Sequence, residues 1–333
     1  MRRLKICGNG RVTVETVPDP VPGQGEVVVE TAVSALCGSE LHDYRGGGVA
    51  SGNNGHEAAG TIVGVGPGVT ALSPGMRVGV SAIAGCGACA QCEQGRYTWC
   101  RHWRYYGAMH AERFLAAANA CHRLPDDIGW DVGVLITGDG LGVPYHTETK
   151  MALGAGATVA VFGAGPIGLG NVLMQRHLGR RVLAVDISPV RRALAVRLGA
   201  EVALDPREGD VVAGLRARTN GDGADVCLEC AGRPETALWC FEAVRTAGTV
   251  IFNGEQGALP LSPSEHFIRR DIVARGAWFY HFSEYPHMLR LVREGLDAAA
   301  LISDQYAFEE ADAAYAKFAR GETAKVLLRY ESA

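Results

Sequence analysis

Hydrophobic patterning changes character near residue 150 of the chain. Before it, apolar residues come in short runs: Glu26-Val-Val-Val-Glu30, Gly60-Thr-Ile-Val-Gly-Val65 and Met76-Arg-Val-Gly-Val80. Pro22-Gly23, Gly66-Pro-Gly68 and Pro74-Gly75 separate them. Short β-branched runs between Gly and Pro punctuation predict strands, here of an all-β, barrel-like unit with irregular insertions. Beyond residue 150, Thr158-Val-Ala-Val-Phe162 precedes a helical pattern reaching Leu178, and Arg181-Val-Leu-Ala-Val185 precedes another over 189–198. Further strands are predicted at 201–204, 224–228, 248–252 and 272–279. Strands alternating with helices predict a parallel, doubly wound sheet, so the chain is of the α/β class. A helix over 285–293, an acidic helix over 308–318 and a strand over 325–330 complete the pattern.

Length and charge narrow the field. The 333 residues, 47% hydrophobic and 20% charged, suit two domains with separate cores. A net charge of −4 speaks against a nucleic-acid partner or an anionic membrane surface. No apolar run approaches the ~20 residues that span a bilayer. Met1-Arg-Arg-Leu-Lys-Ile6 is basic but leads into polar, Gly-rich sequence, so a cytoplasmic location is expected.

Four of the ten cysteines, Cys86, Cys89, Cys92 and Cys100, share one short loop. Repeated two-residue gaps suit one tetrahedral Zn²⁺ better than paired disulfides. Four protein ligands leave no position for substrate, so this site is read as structural. Cys7, Cys121, Cys227, Cys230 and Cys240 read as small buried hydrophobes.

Gly163-Ala-Gly165-Pro166-Ile167-Gly168 follows a predicted strand and opens a helix. There the glycines permit the turn, the approach of a pyrophosphate and close helix–strand packing. Asp186, at the end of the next strand, is placed to accept from a ribose 2′-OH, which favours NAD over NADP. Arg191 either packs on the adenosine or could hold a 2′-phosphate. Two further segments, Cys37-Gly-Ser39-Glu40-Leu-His42 and Gly55-His56-Glu57, offer a thiolate, an imidazole and a carboxylate. Together they make an open zinc site that lacks one ligand.

Taken in order, these motifs and the closing Thr323-Ala-Lys-Val-Leu-Leu328 resemble the zinc-dependent medium-chain alcohol/polyol dehydrogenases nearly end to end. The resemblance implies a GroES-like β domain over 1–148 holding both zincs, an NAD-binding Rossmann domain over 149–280, and a C-terminal return over 281–333. It implies Cys37 and His56 as catalytic-zinc ligands. Asp139, within Thr137-Gly-Asp139-Gly-Leu-Gly-Val-Pro-Tyr-His146, stands where polyol dehydrogenases place a Glu. Glu57 is the alternative third ligand. Ser39 and His42 resemble the family's proton relay, and Glu40 its residue orienting His56. Tyr44, Arg45, His110 and Trp278 are candidates to line the substrate site.

The implied reaction is reversible NAD-linked oxidation of a secondary alcohol (polyol, cyclitol or sugar-like) to a ketone, by hydride transfer from an alkoxide held on zinc. Two zincs per chain are expected, one catalytic and one structural. A redox-neutral lyase or epimerase that keeps its NAD, and a non-catalytic homologue with structural zinc alone, remain open alternatives. The apolar run 272–279, at the expected sheet edge, predicts a homodimer or homotetramer.

Overall fold

The computed structural model describes residues 1–331. Ser332 and Ala333, the end of the expected C-terminal return, lie outside the described residues. The chain forms two units. The first comprises residues 1–142, 279–320 and the segment from 325 onward; the second comprises 143–278 and 321–324. The sequence reading sets the first division after residue 148, whereas the chain changes unit at Gly142, inside the helix Asp139–Glu148. Residues 321–324 go with the second unit because Ser188 Oγ donates to Gly321 O at 2.8 Å and Arg191 Nε to Thr323 O at 3.5 Å.

The first unit is built on the strand Glu26–Ala35, most of whose residues are buried. This strand pairs antiparallel with Ala58–Val65, Arg113–Ala117 and Lys325–Arg329. Ala58–Val65 extends the sheet through Arg77–Val80 to Cys121–Arg123, while Ile302–Ala307 lies parallel to Lys325–Arg329. A hairpin, Arg2–Gly8 with Arg11–Thr16, was not anticipated from the basic N-terminus. Its alternation turns Leu4 and Ile6 inward, onto Phe308, Tyr315 and Phe318. The expected acidic helix is a short 3₁₀ turn, Phe308–Glu310, followed by the helix Ala311–Ala319.

In the second unit, six parallel strands lie in the order Val202–Leu204, Arg181–Val185, Thr158–Phe162, Ala224–Glu229, Val244–Phe252, Val273–Gly276. The order reverses at Thr158–Phe162, the topological switch point at which open α/β sheets bind nucleotides. The strand expected over 272–279 is only Val273–Gly276, and it does form the sheet edge. Phe279 breaks the run with φ +50°, a backbone conformation costly for an aromatic residue.

Candidate active site

Three segments of the first unit converge. Cys37 lies just beyond the strand Glu26–Ala35, in extended backbone that opens the 3₁₀ turn Gly38–Glu40. His56 precedes the strand Ala58–Val65, and Asp139 begins the helix Asp139–Glu148. Asp139 Oδ2 accepts from Cys37 Sγ at 3.5 Å and lies 3.1 Å from His56 Nε2. With Glu57, these residues each bring a donor atom within 4.8 Å of the others, and all four are buried.

Burial opposes a charged imidazole, yet Cys37 and Asp139 raise the His56 pKa well above its ordinary value. Burial likewise opposes the Asp139 carboxylate, but the His56 hydrogen bond lowers its pKa. The negative charge that raises the His56 pKa is one that a divalent cation would equally answer. A sulfur, an imidazole nitrogen and a carboxylate oxygen at these separations fit zinc with one coordination position open.

Glu57 is otherwise engaged. It accepts from Gly140 N at 3.2 Å and from the ammonium of Lys325, and both members of that ion pair are fully buried. Burial works against charge on Lys325, but Glu57, Cys37 and Asp139 outweigh it and raise its pKa. Ser39 and His42 are exposed beside the cluster. Glu40 does not orient His56: its carboxylate meets His110 Nε2 at 3.0 Å, the Tyr315 hydroxyl, and the Cys37 N–H at 3.1 Å. His56 Nδ1 lies instead 3.0 Å from Asn54 O.

Two of the four candidates for a substrate lining, Tyr44 and His110, need correction. Tyr44 and His110 are core residues, closed off by Tyr315 and Glu40, while Arg45 is exposed and donates to Ala319 O at 2.6 Å. Trp278 is exposed on the second unit. The aromatic rings flanking His56 are Tyr105 and Phe279, with centroids 6.2 Å and 5.9 Å from it. Nothing in the sequence pattern marked either. Lys325 did leave a signal: a cation heading the apolar run 326–328.

In the cysteine loop, Sγ–Sγ separations are 3.5 Å for Cys89–Cys92 and 3.8 Å for both Cys86–Cys92 and Cys89–Cys100. A tetrahedron of sulfurs about 2.3 Å from zinc has edges of about 3.8 Å. Backbone N–H groups of Cys86 and His102 point at Cys100 Sγ, both at 3.4 Å, as suits a thiolate. The backbone N–H of Cys92 helps lower the Cys89 pKa to about 7. All ten cysteines are free of disulfides. The loop is anchored by Tyr97 stacking on Phe282 and by Thr98 Oγ1, 2.9 Å from His281 Nδ1.

In the second unit, Gly163 has φ +94°, and a Cβ on Gly168 would stand 1.9 Å from Gly163 O, so only glycine allows this turn. The helix Pro166–His177 begins with no side-chain cap, leaving its N-terminal N–H groups for a phosphate. Asp186 Oδ2 accepts from Ala164 N and Oδ1 from Ser188 N, each at 2.7 Å, which fixes its carboxylate beside the turn. These features fit a dinucleotide. Among the described residues, no helix is long and apolar enough to cross a membrane.

Comparison with known proteins agrees with this geometry. Residues 23–126 match the alcohol dehydrogenase GroES-like domain, and residues 166–294 match the zinc-binding dehydrogenase family. The chain belongs to the zinc-dependent medium-chain alcohol/polyol dehydrogenases, α/β proteins with a GroES-like and a Rossmann-type domain. It is accordingly an oxidoreductase of small-molecule alcohols that uses zinc and a nicotinamide coenzyme. A sorbitol dehydrogenase of Halalkalibacterium halodurans is 31% identical, covering 96% of each chain. An L-threonine 3-dehydrogenase of Streptomyces avermitilis is 32% identical, covering 94% of each. The solved alcohol dehydrogenase TADH from Thermus sp. ATN1 superposes with a TM-score of 0.89 at 28% identity, over 99% of this chain and 100% of its own.

Proposed function

We propose that this chain catalyses the reversible, NAD-linked oxidation of a secondary alcohol of a polyol, cyclitol or sugar-like compound to the ketone. The observation carrying the reading is the convergence of Cys37 Sγ, His56 Nε2 and Asp139 Oδ2, with an oxygen donor in the third place. The sorbitol dehydrogenase relative supports the polyol class.

Cys37, His56 and Asp139 hold the catalytic zinc, which when bound polarises the substrate oxygen and eases loss of its proton. NAD supplies the hydride-acceptor chemistry. Ser39, exposed two residues beyond Cys37, would take the hydroxyl proton in exchange for its own, which a relay ending at His42 on the following turn would hand to solvent. Tyr105 and Phe279 offer flat apolar faces to the C–H side of the substrate. Gly163, Gly165, Pro166, Ile167 and Gly168 carry the pyrophosphate, with Arg191 beside the adenosine. Asp186 accepts from the ribose hydroxyls and repels a 2′-phosphate. Arg192 and Arg207, two guanidiniums near Asp186, are both engaged by Asp205. Cys86, Cys89, Cys92 and Cys100 hold a second, structural zinc. The exposed edge strand Val273–Gly276 supports pairing into a homodimer or homotetramer.

The test is zinc content per chain together with NADH formation on a panel of polyols, cyclitols and sugars. Two zincs and turnover of one substrate class are expected. One zinc and no turnover would overturn the reading.

A further inference from the structure

His110 touches both segments that carry Cys37 and His56. Its Nε2 lies 3.0 Å from Glu40 Oε2, and Glu40 Oε1 accepts the Cys37 N–H at 3.1 Å. Its backbone is clasped by Asn53, whose Oδ1 accepts from His110 N at 3.2 Å and whose Nδ2 donates to His110 O at 3.1 Å. The same Asn53 Oδ1 accepts from Gly55 N at 3.1 Å, one residue before His56. A Cβ on Gly55 would stand 2.3 Å from His110 Cδ2, so the imidazole lies directly on the only residue type that leaves it room.

The network extends away from the ligands. His110 Nδ1 is 2.8 Å from Ser34 Oγ, which is 2.9 Å from the Tyr330 hydroxyl, and the Tyr315 hydroxyl donates to Glu40. Ser34, Glu40, His110 and Tyr315 are all 0% exposed. One ordering of donors satisfies every group: Tyr330 to Ser34, Ser34 to His110 Nδ1, and His110 Nε2, Tyr315 and the Cys37 N–H to Glu40. A buried network of this kind is favourable only when complete, and then it fixes its members in one arrangement.

We infer that the His110 imidazole is a positioning group for the metal centre, fixing the Cys37 loop through Glu40 and seating the His56 segment by its packing on Gly55. The inference rests on the reading of Cys37, His56 and Asp139 as zinc ligands. Two ligands on separate segments bind a metal well only if their separation is set beforehand, and groups behind the ligands set it.

The experiment loads the full chain with Co²⁺ and follows thiolate-to-cobalt and visible bands, chelator competition and thermal unfolding. The wild type should hold two ions per chain, and Cys37→Ser should lose one. His110→Phe should weaken that same ion by roughly 10- to 100-fold and shift its visible bands, leaving the four-cysteine ion unchanged. His110→Gln, which keeps a donor for Glu40, should recover part of the affinity. Tyr315→Phe removes one hydroxyl only and should weaken the ion several-fold, so it carries the test should His110→Phe fail to fold. Wild-type affinity and spectrum in the variants, with only a lower melting temperature, would overturn the inference. A wild type in which Cys37→Ser loses no ion would overturn the ligand reading itself, and the inference with it.

Discussion

Lys325 donates its ammonium to Glu57 at a place where neither side chain is exposed to any solvent. Glu57 adjoins His56 in sequence, and Lys325 comes from the strand Lys325–Arg329, so the ion pair ties that strand to the His56 segment. Removing one partner strands a buried charge, which costs about 3–5 kcal/mol, whereas removing both is far milder. Lys325→Met should therefore destabilise the first unit by that amount, and Glu57→Gln with Lys325→Met should restore most of it. Denaturant unfolding of the two singles and the double measures this. Additive losses would show that the pair is not coupled.

Acid should weaken the fold through His122. Its ring stacks on Phe282 at 4.0 Å and Tyr285 at 4.5 Å, and burial depresses its pKa to about 3. The Tyr280 hydroxyl gives its proton to Thr137 O at 2.6 Å, so at 3.0 Å it is His122 Nε2–H that donates to Tyr280. Between about 3 and the ordinary value of 6.5, the unfolded chain binds a proton that the folded one refuses. This contribution is complete above pH 6.5 and declines by up to about 1.4 kcal/mol per pH unit as the pH falls toward 3. His122→Phe should flatten the fall in unfolding midpoint between pH 6 and 4. An unchanged slope would assign acid lability elsewhere.

Coenzyme choice should turn on Asp186. A charge-assisted hydrogen bond contributes about 1.5–3 kcal/mol, so Asp186→Ala should lower kcat/KM for NAD roughly 10- to 100-fold. Relative use of NADP should rise, since the repelling carboxylate is gone. Steady-state kinetics with both coenzymes decide it, and an equal loss for both would point to collapse of the Ala164 turn that Asp186 also holds.

The cysteine loop should be separable from the chemistry. Cys92→Ser is expected to remove one zinc per chain and make residues 86–100 a preferred site of proteolysis. In the cobalt-loaded protein, the visible spectrum of the ion held by Cys37 should persist. Loss of both ions together would mean that the loop also supports the catalytic cluster.

Local pattern carried much of this architecture. The strands Thr158–Phe162 and Arg181–Val185 lie where their unbroken apolar runs predict them, because a parallel sheet covered on both faces leaves no room for polar residues. The hairpin Arg2–Gly8 was hidden because Arg3 and Lys5, on its outer face, read as a basic tail rather than as alternation with Leu4 and Ile6. Cys37 and His56 stood out through the resemblance of their two segments, taken together, to the family's. The partner of Glu40 did not, since His110 and Tyr315 lie 70 and 275 residues away and nothing local encodes those meetings. Tyr105 and Phe279 were equally silent, because an aromatic residue in a loop looks the same whether it faces a core or a ligand.

The first unit closes on residues that follow the second unit in the chain. Glu40 and Glu57 emerge early, yet Tyr315 and Lys325, which supply their buried donors, lie 275 and 268 residues downstream. A carboxylate is not sealed from water before its donor arrives, so the ligand segments must wait, half-assembled, while the whole second unit is translated. Closure around Cys37 and His56 thereby waits for Lys325, and a nascent chain halted before it would hold the thiol and imidazole without that closure.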